Sequence, residues 1–90
     1  MEKQDLEQWL ISMGYEKDSF GHYKKNKLAK NGNMELYRFK LGKQSARYEV
    51  RVSHEAGQYN PASHSWLRLR SNYYKHLSIN AENKIEGMKK

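Results

Sequence analysis

The alternation of apolar and polar residues is most regular in the middle of the chain, from Ser45 to Ser53. One set of alternate side chains is apolar or aromatic and the other is charged, with Ala46, Tyr48, Val50 and Val52 against Arg47, Glu49 and Arg51. This period of two residues predicts a half-buried β-strand. Met34 to Leu41 precedes it, and Gly42-Lys43 suits a two-residue type II′ turn between them. We therefore predict a central antiparallel hairpin.

The tight turn sets the register expected for this hairpin. Tyr37 should lie opposite Tyr48, so that one face collects apolar and aromatic side chains, namely Tyr37, Phe39, Tyr48 and Val50. On the other face, Arg38 should lie directly opposite Arg47. Like charges in opposed positions are unfavourable, so this arrangement favours an anionic ligand on that face.

A short amphipathic helix is predicted near the N-terminus, from about Leu6 to Met13. Its apolar positions follow the i, i+3, i+4, i+7 spacing, with Leu6, Trp9, Leu10 and Met13. Asp5 has the position of an N-cap, and Gly14 follows where a helix commonly ends. Burial against a sheet explains the apolar stripe better than a partner-binding role does, because a helix of two turns is marginal alone.

The segment from Phe20 to Leu28 predicts a less regular edge strand, with Phe20 and Tyr23 as its large residues. Asn31-Gly32 is a strong hairpin dipeptide. The tightest register around it would mix the two faces, so we expect a bulge or a longer loop between Lys27 and Asn33.

The C-terminal half begins with a predicted long loop from Glu55 to Ser63. Alternation then predicts a strand from His64 to Arg70, with Leu67 and Leu69 on the core face and Trp66, Arg68 and Arg70 on the other. The remaining elements are a turn over Ser71–Tyr74, a short strand over Lys75–Ile79, a turn over Asn80–Asn83, and a strand or frayed tail over Ile85–Met88.

These elements predict an α+β fold, in which a short N-terminal helix packs on one face of a four- to five-stranded antiparallel meander sheet. Residues 1–90 are expected to form a single domain with disordered ends at 1–4 and 89–90. Because the helix is short for such a sheet, we also retain burial by formation of a homodimer.

Composition and charge narrow the class of protein. Only 37% of the residues are hydrophobic, and seven tyrosines supply much of the expected core. The absence of cysteine excludes a disulfide scaffold, and no apolar run has the length of a membrane span. These features favour a cytoplasmic protein without membrane contact. The formal net charge is +7, and its excess lies in residues 21–76, which favours an anionic partner.

The leading hypothesis is a small nucleic-acid-binding module that binds RNA or single-stranded DNA. Arginines would contact phosphates on the uncovered sheet face, and an exposed Trp66 would stack on a base. The candidate binding residues are Arg38, Lys40, Arg47, Arg51, Trp66, Arg68, Arg70, Tyr73 and Tyr74. The structural alternative is a solvated sheet face, with Trp66 packed beneath the long basic side chains.

Two other functions are retained. An interaction module, such as a small adaptor or inhibitor, would dock an acidic protein or add an edge strand to another sheet. A small ribonuclease is a distant third, because His54, Glu55 and His64 lie near the basic strands and have the chemistry of general acids and bases. No pattern for a metal site or a cofactor is present, and no Gly-rich phosphate loop, nucleophile elbow or carboxylate dyad occurs. Apart from the ribonuclease alternative, we therefore expect no metal, no cofactor and no catalytic residue.

Overall fold

The computed structural model describes residues 1–28, 30, 32, 34–53 and 66–88. Helix α1 spans Lys3–Ser12, and so begins before the predicted Leu6 and includes residues expected in a disordered end. The cause lies at its first turn. Glu2 is the N-cap, and its backbone N–H donates to Asp5 Oδ2 at 3.1 Å. Asp5 is therefore the third residue of the helix and stabilises its start.

Five strands form one antiparallel sheet in sequence order: β1 Glu16–Lys17, β2 Tyr23–Leu28, β3 Met34–Leu41, β4 Ser45–Ser53 and β5 Leu67–Tyr73. The predicted α+β meander with an N-terminal helix is confirmed, and β3 and β4 have the predicted bounds. A 3₁₀ helix at Tyr74–His76 follows, and β6 Ser78–Ile79 pairs with β7 Ile85–Glu86 in a separate two-stranded sheet. The last predicted strand thus leaves the main sheet.

The connection between β1 and β2 differs from the prediction, which began a strand at Phe20. Asp18 Oδ1 accepts backbone hydrogen bonds from Phe20 and His22, each at 2.9 Å. This side-chain turn holds residues 18–22 out of the sheet. Phe20 lies in the turn with 82% of its surface exposed, so it is not part of the core.

The connection between β2 and β3 is longer than a two-residue turn, as expected. Leu28 pairs with Met34, so five residues separate the two strands. Lys24 consequently lies opposite Arg38 and Lys25 opposite Tyr37. Lys24 and Arg38 therefore share one face of the sheet, and the aromatic residues of both strands share the other.

The register of the central hairpin is shifted by two residues from the predicted one. Arg38 lies opposite Glu49, and Lys40 lies opposite Arg47. Gly42 donates its backbone N–H to Ser45 at 2.9 Å and has no positive φ. The predicted type II′ turn at Gly42-Lys43 is therefore wrong. A shift by an even number keeps every side chain on its predicted face.

Helix α1 covers the aromatic face of the sheet. Its buried Leu6 and Leu10 join the core, which also contains Tyr15, Tyr23, Tyr37, Phe39, Ala46, Val50, Tyr74, Leu77, Ile85 and Met88. Tyr23 donates its hydroxyl to Glu7 of the helix at 2.8 Å. Leu67, which was assigned to this core, is 61% exposed at the start of β5. Among the described residues, no helix has the length and apolar character needed to cross a membrane.

Candidate anion-binding face of the sheet

The side of the sheet turned away from α1 carries charged side chains from four adjacent strands. We call it the basic face; its cations are Lys24, Arg38, Lys40, Arg47, Arg51 and Arg68. Strand alternation places them there, because their neighbours in sequence point into the aromatic core. Sequence reasoning found five of these six residues and missed Lys24, whose assignment follows only from the register of β2.

Two acids neutralise part of this face. Glu49, at 5% exposure the one charged side chain that is buried in the described part of the chain, accepts from Arg38 Nε at 2.9 Å and Nη2 at 2.6 Å. Lys24 Nζ pairs with Asp18 Oδ2 at 2.9 Å. The predicted opposition of Arg38 and Arg47 is therefore wrong, since Arg38 is matched with a carboxylate.

Two like charges are nevertheless opposed across the same two strands, closer to the hairpin turn than Arg38. Lys40 and Arg47 are directly opposed on β3 and β4, and Arg47 approaches a carboxylate only at 4.0 Å, through Glu49 Oε2. Among the described residues, Lys40, Arg51 and Arg68 form no ion pair. Of these cations, Arg51 and Arg68 lie further from the hairpin turn along the strands, whereas Lys40 lies beside it with Arg47.

A small cavity lies at this position. We call it the anion cavity; it has a volume of about 150 Å³ and is lined by Lys40, Leu41, Gly42, Ser45, Arg47 and Ser71. Ser71 lies opposite Arg47 on β5, so two cations and two hydroxyls converge from three strands. Ammonium, guanidinium and hydroxyl groups are the donors that bind phosphate oxygens.

Trp66 lies on the basic face, as predicted. The prediction also had its ring exposed to solvent, and this part is wrong. It is half-buried, and the Arg38 guanidinium carbon lies 3.9 Å from its ring centroid, with that of Arg51 at 5.6 Å. These cation–π contacts use the indole to hold the two guanidinium groups. Trp66 therefore packs with the two arginines as the structural alternative describes, and its role in ligand binding stays a prediction.

A β-bulge in β5 separates two arginines that were predicted to share a face. Arg68 lies opposite Glu49, whereas Arg70 lies opposite Tyr48, and Leu69 between them is the extra residue. Arg70 is therefore on the aromatic side, where its Nε donates to the Gly87 carbonyl at 3.3 Å. Its assignment to the basic face is corrected.

The two adjacent tyrosines also separate. Tyr73 pairs with Ser45 at the edge of the basic face and is 53% exposed, with its ring near His76 and Lys75. Tyr74 is buried, and its hydroxyl donates to the Gly42 carbonyl at 2.7 Å. Burial raises the pKa of Tyr74 to about 12. Tyr74 therefore supports the hairpin turn from the core side and cannot contact a ligand on the basic face.

Two further groups beside this face were not identified from the sequence as site residues. His22 packs against the exposed ring of Phe20, with centroids 6.3 Å apart. Burial lowers the pKa of His22; Asp18 opposes this, and the charges of Arg38, Lys40 and Lys24 lower it further. Its Nδ1 is buried without a hydrogen-bond partner. The turn signal at Asp18 is the feature that could have located both rings.

The electrostatics of the turn follow from its contacts. Burial alone would raise the pKa of Asp18, but hydrogen bonds from Lys24 and from the backbones of His22 and Phe20 hold it at about 2. Asp18 therefore remains a carboxylate and fixes Lys24 at the margin of the basic face. The candidate ribonuclease residues His54, Glu55 and His64 lie outside the described residues. Within the described residues, no three His, Asp or Glu side chains are grouped so that they could hold a metal ion.

The fold and this face define a small α+β protein with an exposed basic sheet surface. Comparison with models of protein families gave no match, and no curated protein or solved structure matched either.

Proposed function

We propose that the protein is a small nucleic-acid-binding module that holds the phosphate backbone on its basic face. The observation that carries this proposal is the Lys40–Arg47 opposition over a cavity that also contains two serine hydroxyls. Holding two cations opposite each other costs free energy. A phosphate in the cavity would recover that cost and accept hydrogen bonds from both strands.

The neighbouring side chains extend the same chemistry. Arg51 and Arg68 lie further along the face and supply contacts for adjacent phosphates. Phe20 and Tyr73 are exposed rings at opposite margins, beyond β2 and on β5. Exposed rings beside a basic track are typical of single-strand binding, because unpaired bases stack on them without sequence preference. Single-stranded RNA or DNA is therefore the favoured ligand.

The test is fluorescence anisotropy with labelled oligo-U and oligo-dT, repeated over a salt series. Affinity should fall with salt at a log–log slope of about −0.7 per phosphate contacted. Arg47→Gln and Lys40→Gln should each weaken binding to both oligonucleotides and reduce the magnitude of the slope by about 0.7, the value for one lost phosphate contact. Arg70→Gln is the matched control, since it removes the same charge from the opposite face.

Two results would refute the proposal. One is absence of binding at low salt. The other is equal weakening by Arg70→Gln and Arg47→Gln, because binding would then depend on net charge and not on the anion cavity.

An acidic protein partner is the second candidate, and the sheet edge favours it. Strand β5 is an edge strand, and no described strand pairs with its outer side. Its exposed Leu67 offers an apolar contact there, and strand addition uses such an edge.

Polyglutamate separates the two candidates in the same assay. If it displaces the oligonucleotide at equal charge concentration, charge alone is recognised and the acidic partner is preferred. If it does not, the bases contribute and the nucleic-acid proposal stands.

A further inference from the structure

A second concave site lies on the opposite side of the sheet from the basic face. We call it the aromatic cleft. It lies between the C-terminal end of α1 and the β6–β7 hairpin, and its volume of about 570 Å³ is in the range of small-molecule sites. Its lining residues are Trp9, Met13, Tyr15, Lys25, Lys27, Tyr37, Phe39, Tyr48, Asn83, Lys84, Ile85 and Met88. The short helix leaves this part of the aromatic sheet face uncovered.

The floor of the cleft is a set of packed rings. Phe39 and Tyr48 stack with centroids 4.6 Å apart, and Tyr37 stacks on Tyr48 at 5.6 Å. Tyr15 meets Phe39 edge-on at 5.4 Å. Aromatic rings prefer offset-stacked or edge-to-face partners, so this floor suits the ring of a flat aromatic ligand. Met13 and Met88 flank them, and methionine side chains adapt to the outline of a ligand.

The cleft also carries neutral polar groups on its aromatic side chains. Trp9 Nε1 is buried and has no hydrogen-bond partner among the described residues, which leaves a donor that lacks an acceptor. Burial raises the pKa of Tyr15 and of Tyr48. Both phenols therefore stay protonated at neutral pH.

The charge around the cleft is positive. Lys27 Nζ lies 4.7 Å from the centroid of the Tyr37 ring, and Lys25 Nζ lies 5.7 Å from that of Tyr15. Lys25 also donates to the Met13 carbonyl at 2.6 Å, and Lys84 is paired with Glu82 at 3.4 Å. No Asp or Glu is among the lining residues. Two acids lie near the rim, since Glu82 pairs with Lys84 and Glu35 lies opposite Lys27 on β3. The three lysines outnumber these acids, so a net positive potential remains.

We propose that the aromatic cleft binds a small planar aromatic molecule that carries one anionic group. The ring of the ligand packs against Tyr48, the ring of the three that is only half-buried, and its carboxylate, sulfonate or phosphate lies between Lys25 and Lys27. This site is separate from the basic face, so it does not depend on the function proposed above.

Two tryptophans make the test selective, because Trp9 lines the aromatic cleft and Trp66 lies on the basic face. The probe is naphthalene-1-sulfonate, titrated into ¹⁵N-labelled protein while both indole N–H signals are followed. The Trp9 signal should shift in a saturable manner and the Trp66 signal should not. Naphthalene-1-methanol, which lacks the charge, should bind at least about fivefold more weakly.

Lys27→Gln is the informative variant, since Lys27 is exposed and its substitution leaves the core intact. It should weaken sulfonate binding about two- to fivefold and leave binding of the neutral alcohol unchanged. Lys43→Gln, at the tip of the central hairpin, is the control and should change neither. The proposal is overturned if the Trp9 signal does not move at millimolar probe, if Trp66 responds in its place, or if the alcohol binds as tightly as the sulfonate.

Discussion

Arg38 donates through both Nε and Nη2 to a single carboxylate oxygen of Glu49, directly across from it on the neighbouring strand. The same guanidinium group lies 3.9 Å from the centroid of the Trp66 ring. One side chain thereby links three parts of the sheet, because β3 supplies Arg38, β4 supplies Glu49 and the residue just before β5 is Trp66. This contact orders the centre of the basic face and leaves its margins charged.

The Arg38–Glu49 pair should be strongly coupled in stability. Glu49→Leu leaves a guanidinium group without its carboxylate, and Arg38→Leu leaves a buried carboxylate without its donor. Each change should lower the free energy of unfolding by about 2–4 kcal/mol. The double variant should cost about 1–3 kcal/mol less than the sum, because neither charge then remains unpaired.

Urea unfolding of the four proteins measures this coupling. The control is the exposed Lys84–Glu82 pair, for which Glu82→Gln should change stability by no more than about 0.5 kcal/mol. Additive losses at Arg38 and Glu49 would show that the pair contributes no interaction of its own.

The strands that define the basic face were predictable because their alternation is regular. Met34–Leu41 and Ser45–Ser53 have the predicted bounds, and the side chains of residues 34–41 and 45–51 lie on the predicted faces. The pairing across the hairpin was not predictable from alternation, since a shift by two residues preserves both faces. Charge pairing distinguishes the two registers. The observed one places Arg38 against Glu49, whereas the predicted one placed it against Arg47.

Strand β5 shows why part of the candidate site was misplaced. Its sequence alternates from Trp66 to Arg70, but the extra residue at Leu69 reverses the faces beyond it. A bulge leaves no mark in an alternating pattern. The contacts that accompany it, from Arg70 and Asn72 to the Gly87 carbonyl, are made to a distant part of the chain.

Gly87 should be the least replaceable glycine among those the structure describes. Its φ is +94°, and a Cβ there would lie 2.8 Å from both Asn72 Nδ2 and Leu77 Cδ2. Gly87→Ala should therefore lower the free energy of unfolding by about 2–4 kcal/mol, from the backbone conformation and from steric overlap together.

Gly21→Ala provides the matched comparison. Gly21 has a φ of +83° with no atom within 4 Å of its added Cβ, so only the backbone term of about 1–2 kcal/mol applies. Urea unfolding of the two variants separates the terms. If both variants lose the same free energy of unfolding, the steric overlap at Gly87 adds nothing, which would mean that the β7 segment can move away from β5 without cost.

The exposed ring of Phe20 should contribute to ligand binding and not to folding. Phe20→Ala removes a solvent-exposed side chain, so stability should change by no more than about 0.5 kcal/mol. If a base stacks on this ring, oligonucleotide affinity should fall about fivefold or more. Anisotropy and urea unfolding on the same samples check both parts. Ile11→Ala, which shortens an exposed side chain on α1, should leave affinity unchanged, and a similar loss there would remove the role of Phe20.

His22 should make phosphate binding depend on pH. In the free protein, burial is the main cause of its lowered pKa; Asp18 acts against it, and Arg38, Lys40 and Lys24 reinforce it. A lowered pKa means that the neutral imidazole stabilises the fold above pH 6.5 and that this contribution is lost as pH falls through the folded value. A phosphate in the nearby anion cavity offsets the charges of Arg38 and Lys40, so it should raise the pKa of His22. By linkage, oligonucleotide affinity should then increase as pH falls below about 6.5.

Anisotropy between pH 5.5 and 7.5, with His22→Gln as the comparison, measures this pH dependence of affinity. NMR titration of the His22 ring with and without oligonucleotide gives the direction of the pKa change. The variant should lose the part of the pH dependence that comes from His22, and Asp18, whose pKa is held at about 2, contributes none over this range. If the variant retains the full pH dependence, or if the pKa of His22 does not rise on binding, the phosphate does not lie beside Lys40 and the anion cavity is not its site.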